Sequence, residues 1–272
     1  MNDMSIFGIT PFEDISLWAA VGLAAIYFVS FLLRGLIGFG SSTPAIIGGA
    51  WLLPPHDAVL FAVLASLYAQ AQLLPKGFKT CDRTIVKPMI TGVILSMVLG
   101  VWLFSQIKAD WLTLVIGATL VLAVIAEKLE LAEKWLAGVD LHRFRVPFTV
   151  TAICGVFAGL AGVGAAFLAA LYVRWATPDP VTFRGTLFVF SGLMGIWRAV
   201  VVVSVGLMTA QIFVGSLFLA PVIFLGGWAG LKLGEVIDGK RYAKIIQIVL
   251  VLAAVSLIWK GVHAILESGA PV

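Results

Sequence analysis

The chain has 272 residues, of which 61% are hydrophobic and only 12% charged, whereas soluble globular chains sit near half apolar and a quarter charged. A soluble globule is excluded, and so is a transmembrane β-barrel, because the apolar runs are continuous and rich in Leu, Val and Ala rather than alternating. The formal charge of +4 therefore reports loop topology, not a nucleic-acid surface.

In chain order, residues 1–14 are polar and acidic and lack the positive start of a cleavable signal. Residues 15–53 are apolar but broken at Arg34-Gly35-Leu36-Ile37-Gly38-Phe39-Gly40-Ser41-Ser42. Three ordinary spans follow, over 57–74, 88–106 and 111–126, each near the length that crosses a bilayer core. The most charged stretch of the chain comes next, at 127–145. A second broken segment, 147–176, is interrupted at Gly159-Leu160-Ala161-Gly162-Val163-Gly164-Ala165-Ala166. Three more spans are expected over 184–205, 211–231 and 244–263.

The two breaks superpose. Gly35, Leu36, Gly38 and Gly40 match Gly159, Leu160, Gly162 and Gly164 at an offset of 124, and Pro54 matches Pro178. Val121-Leu122-Ala123 matches Val251-Leu252-Ala253 at an offset of 130. Fourteen of the 18 basic residues fall in four places: 76–87, the linker, Arg174 with Arg184, and 232–244. All fourteen share the cytoplasmic side only if each broken segment enters and leaves on one side. The expected fold is thus an all-α polytopic membrane protein of two inverted repeats, each a Gly-broken hairpin or re-entrant segment followed by three transmembrane helices. The repeats cover 1–126 and 147–272, joined by a charged cytoplasmic linker at 127–146, with both termini periplasmic. Inverted repeats with broken helices are a plan of secondary transporters, whose substrates bind near the midplane.

The candidate site follows from the breaks. A helix beginning near Thr43-Pro44 offers unpaired N–H groups and the positive end of a dipole, and such ends bind anions. Gly38, Phe39, Gly40, Ser41, Ser42 and Thr43 supply this terminus in the first half, and Gly162, Gly164, Ala165 and Ala166 in the second. The bland alternative is that the glycines only allow close helix packing. Arg34 and Arg198 lie within apolar sequence, where a charge costs about 2.5–3.5 kcal/mol on insertion scales, and no embedded acid is an obvious partner. Arg198 is roughly 11 Å of helical rise from the outer end at Val205, close enough to snorkel to headgroups. Arg184, Phe188, Ser191, Gly195 and Arg198 share one helix face, and Ser66 and Gln70 another. Gln70 and Ser191 join the candidate set, with an interhelical hydrogen bond as the plain reading of each. Trp51, Trp102, Trp111, Trp175, Trp228 and Trp259 sit near span ends as an aromatic belt, while Trp197 and Phe39 are either gates or packing. Cys81, Cys154 and three histidines show no metal or haem spacing, so no cofactor is expected.

At Gly35-Leu36-Ile37-Gly38-Phe39-Gly40-Ser41-Ser42-Thr43-Pro44 and Gly159-Leu160-Ala161-Gly162-Val163-Gly164, the chain resembles the TauE/SafE family of sulfite and sulfonate transporters. The resemblance covers nearly the whole length and implies movement of small organosulfur anions across the bacterial inner membrane; a monomer or homodimer is expected. It also departs from the family pattern. Ser41-Ser42 and Ala165-Ala166 stand where many members have glycine, and no lysine lies in 58–74 or 185–205, so arginine is expected to replace lysine as the anion's counter-charge. Transport of another small carboxylate or oxyanion is the alternative. An intramembrane hydrolase is the rival class, but it would need a base beside Ser41 or Ser191, and His56, His142 and His263 fall at expected loops or ends. Neither catalysis nor nucleic-acid binding is expected.

Overall fold

The computed structural model describes residues 16–37, 41–128, 138–162, 165–233 and 259, and among these there is no strand. The helices are α1 (Leu17–Ile37), α2 (Ser42–Leu52), α3 (Pro55–Thr80), α4 (Arg83–Gln106), α5 (Ala109–Lys128), α6 (Arg145–Leu160), α7 (Ala165–Ala176), α8 (Pro180–Ser204) and α9 (Ala210–Leu233). Four carry windows long and apolar enough to cross a membrane: Trp18–Gly35, Arg83–Gln106, Val181–Ser204 and Ala210–Gly230. The protein is a multi-pass helical membrane protein. The span expected over 244–263 and linker residues 129–137 lie outside the described residues.

One expected boundary is corrected. The span placed at 57–74 does not stop before Pro75 but continues to Thr80, bent by 49° between Pro55–Ala71 and Leu73–Thr80. Pro75 has no N–H for the Ala71 carbonyl and its ring crowds that carbonyl, so the helix bends one turn earlier instead of ending.

The centre of the bundle is the pair α3 and α8, which pack on each other. Residues 58–65 of α3 and 185–190 of α8 are buried without interruption. Such all-round burial marks helices enclosed by other helices. By contrast, α4 exposes Leu95, Val98, Leu99 and Trp102, and α9 exposes Phe213, Leu217, Leu225 and Trp228, apolar faces suited to lipid. The six tryptophans expected at span ends are all exposed, Trp51 closing α2 and Trp175 closing α7 at the 124-residue offset.

Packing across the two halves is reciprocal. Helix α1 packs on α9 as α6 packs on α4, and α3 packs on α9 as α8 packs on α4. Glycines set both outer pairs. A methyl group built on Gly100 would strike the Val156 carbonyl and lie 2.9 Å from Gly159 Cα; one on Gly230 would strike the Leu32 carbonyl and lie 3.0 Å from Gly35 Cα. These four contact residues are related at the offsets 124 and 130. Small residues let backbones approach this closely, and in a bilayer close packing replaces the hydrophobic drive between helices.

Two aspartates start helices beside the basic loops. Asp179 accepts from the Thr182 backbone N–H at 2.8 Å and its hydroxyl at 2.7 Å, which holds its carboxyl below the usual aspartate range. For Asp82 partial burial raises the pKa, but bonds from Thr84, the charge of His142 and a bond from the Ile85 backbone outweigh it, and the net shift is downward.

Two outcomes follow. Gly159→Ala brings a side chain against the Met97 carbonyl and Val101 nitrogen and is expected to cost about 1–3 kcal/mol. Gly22→Ala, whose methyl meets only Leu52 at 3.5 Å, leaves the thermal unfolding midpoint in detergent unchanged. Because the lowered Asp179 pKa stabilises only the ionised form, the stability gap between the native chain and Asp179→Ala is present at neutral pH. It closes as pH falls below the ordinary aspartate range of about 4; a gap that persists in acid would contradict the capping role.

Candidate functional site

Each broken segment consists of a longer first helix and a shorter second one. Helix α2 has 11 residues and α7 has 12, so each reaches roughly 16–18 Å, about half of a bilayer's hydrocarbon core. Their C-terminal ends carry the exposed Trp51 and Trp175. The N-terminus of α2 begins at Ser42 with Ser41 as N-cap and Pro44 in the first turn. Ser41 does not cap the helix with its side chain; its hydroxyl instead accepts a bond from Arg34 Nη1 at 3.1 Å. The first N–H groups of α2 have no acceptor within their own helix.

Arg34 occupies the last turn of α1. Arg198 reaches the corresponding end of the second half from a different helix, with Nη2 donating to the Gly159 carbonyl at 3.3 Å in the last turn of α6. Gly162 follows with φ +72°, the left-handed conformation that ends helices and suits glycine, and a methyl there would strike the Arg198 guanidinium. Each first arm thus ends at one guanidinium, where a helix's negative pole favours a cation. The residues at the 124 offset, Ala158 and Leu74, carry no charge.

These groups surround one cavity of 60 Å³, lined by Arg34, Ser41 and Ser42 from the first break, Ala62, Val63, Ser66 and Gln70 from α3, Ala158 and Gly162 from the second break, and Ser191, Met194, Gly195 and Arg198 from α8. A single water needs about 10–15 Å³ on that scale, so the cavity has room for a small polyatomic ion. Arg34 is 5% exposed, Arg198 7% and Gln70 4%. Arg34 Nε, Arg198 Nε and Gln70 Oε1 are buried with no hydrogen-bond partner. Gln70 Nε2 donates to Ser191 Oγ at 3.1 Å, joining α3 to α8 immediately before the bend in α3.

The structure brings seven of the sequence candidates to this cavity: Arg34, Ser41, Ser42, Gln70, Gly162, Ser191 and Arg198. Thr43 is buried in the first turn of α2 and does not line it. Gly38, Phe39, Gly40 and Gly164 lie outside the described residues, as do the side chains of Ala165 and Ala166, whose backbone opens α7. The snorkelling alternative for Arg198 is overturned, since its side chain turns inward to Gly159. Trp197 pins α8 to α4 by donating from Nε1 to the Ile94 carbonyl at 3.1 Å and does not line the cavity. Arg184 leaves the polar face as well, lying 6.0 Å from the Phe188 ring at the far end of α8. Ala62, Val63, Ala158 and Met194 were not foreseen; the signal was available for two, because Ala158 is the offset counterpart of Arg34 and Met194 of Gln70.

Over residues 23–257 the sequence matches the family described as sulfite exporter TauE/SafE. The chain belongs to this family. No curated protein and no solved structure matches it. Membership makes the protein a membrane transporter with a small anion as its substrate class, and the cavity of this TauE/SafE chain is chemically consistent with that. Ser41 and Ser191 bond to Arg34 and Gln70, while His56 packs on Phe104 with ring centroids 4.9 Å apart and His142 pairs with Asp82 at 3.5 Å. No acid or histidine stands among the described lining residues.

Gly162 provides the local test. Gly162→Ala combines a left-handed φ with a methyl aimed at Arg198 and is expected to cost about 1–3 kcal/mol, read as a lower unfolding midpoint in detergent. An unchanged midpoint would mean that the guanidinium does not rest on this turn.

Proposed function

We propose that the protein is a secondary transporter that moves a small organosulfur anion, sulfite or a sulfonate, across the bacterial inner membrane. The observation that carries this reading is the pair of buried arginines that line one cavity with no described acid beside them. Sulfur oxyanions offer only acceptors, so their site must be built of donors. Arg34 and Arg198 supply charge, and the N–H groups of 40–43 and 164–166 with Ser41, Ser42, Gln70 and Ser191 complete the shell.

The halves 1–126 and 147–272 are read as inverted repeats joined by a cytoplasmic linker, with both termini periplasmic. The reciprocal packing of α1 with α9 and α4 with α6 supports this plan, and the distribution of basic loops supplies the orientation. With no acid or histidine in the described lining, strict proton coupling is not part of the reading. An inside-negative potential favours anion exit by about 2.3 kcal/mol per charge per 100 mV, which fits export.

Radiolabelled sulfite uptake into liposomes holding the purified chain tests the function. The Arg34→Gln, Arg198→Gln double variant is expected to lose affinity by at least about tenfold, while Lys108→Gln transports normally. Equal affinity in the double variant would remove the arginines from the site. In a Cys81→Ser background, cysteines placed at Thr80 and Lys240 are expected to resist impermeant labelling in intact cells; external labelling of either would refute the orientation.

A further inference from the structure

The cavity carries an imbalance of fixed charge that bears on which anions it accepts. Two guanidinium groups, each at least nine-tenths buried, reach it from different helices. Among the described residues neither is paired with a carboxylate, and the described lining holds no acid at all. Their hydrogen bonds go to neutral acceptors, the Ser41 hydroxyl and the Gly159 carbonyl. Helix poles alter this little. The C-terminal ends of α1 and α6 contribute about half a negative charge each, and the N-terminus of α2 returns about half a positive charge. Roughly one and a half positive charges remain for a ligand to neutralise.

We infer that the site selects doubly charged oxyanions over singly charged ones of the same shape, with Arg34 and Arg198 acting together as the element that counts ligand charge. This rests on the anion-transport reading above and narrows its substrate class to sulfite in its dianionic form or a sulfonate with a second anionic group. A single small ion is what the 60 Å³ cavity holds, so one ligand must bring both charges. A monoanion leaves one buried guanidinium uncompensated, and an uncompensated buried charge is strongly unfavourable. Both arginines line the cavity, so a bridging oxyanion can take donors from each half of the chain.

The test is displacement of radiolabelled sulfite from the purified full chain, at a pH where sulfite carries two charges. The competitors are unlabelled sulfite and methanesulfinate, which keeps the pyramidal sulfur but carries one charge. The native chain is expected to prefer sulfite at least tenfold. Arg34→Gln or Arg198→Gln is expected to shrink that preference to threefold or less, chiefly by weakening sulfite, whereas Arg34→Lys and Arg198→Lys, which keep the charge, retain it. Equal displacement by the two competitors, or a preference that survives either Gln variant, overturns the selection of dianions and leaves the anion-transport reading standing. Absence of any sulfite binding to the native chain overturns both.

Discussion

Burial of two arginines that no described acid neutralises is the constraint around which this protein is organised. Isolated charge in a dry interior is costly, so a fold that keeps it must offset the cost in each state it visits. Here the offset begins with geometry. Each guanidinium sits where a membrane helix has been interrupted and its carbonyl end turned inward. Interrupting a helix inside a bilayer is itself tolerable only where the freed backbone groups line a cavity or find partners. The breaks and the arginines therefore support each other: both helix ends receive a cation, Arg198 bonds the Gly159 carbonyl that ends α6, and Arg34 bonds Ser41 at the start of α2.

The rest of the bundle serves to keep those ends in place. Half-length α2 and α7 cannot cross alone and depend on the full helices that enclose them. Glycines on the first arms, Gly35 and Gly159, meet glycines on α9 and α4, Gly230 and Gly100, so each arm is held by backbone contact with the opposite half. The central pair α3 and α8 then closes the cavity with Gln70 bonded to Ser191. The bend in α3, between Ala71 and Leu73, follows directly after Gln70, which places it next to the polar contact between the two halves.

Much of this was visible in the residues alone, for identifiable reasons. A repeated glycine spacing marked both breaks, because a membrane helix cannot be interrupted without small residues. Arg34 and Arg198 stood out because charge is rare in apolar sequence. What spacing along one helix could not show is partnership across helices. Arg198 has no charged counterpart at the repeat offset, so its role at the end of α6 becomes apparent only when α8 is packed against that end. Ser66 was noted for its face but left out of the candidate set; it lines the cavity beside residues brought from other helices. The apolar lining, Ala62, Val63 and Met194, is silent in sequence since such residues fill every span. The span expected over 57–74 ended short of the helix, which continues past Pro75 to Thr80 with a bend.

The most direct measurement is a crystal structure of the protein with selenite, whose selenium is located by its anomalous scattering independently of the protein atoms. The account predicts one strong peak in the cavity between the Arg34 and Arg198 guanidiniums and near the first turn of α2. A peak confined to the basic loops around 76–87, with the cavity unoccupied at saturating selenite, would contradict it.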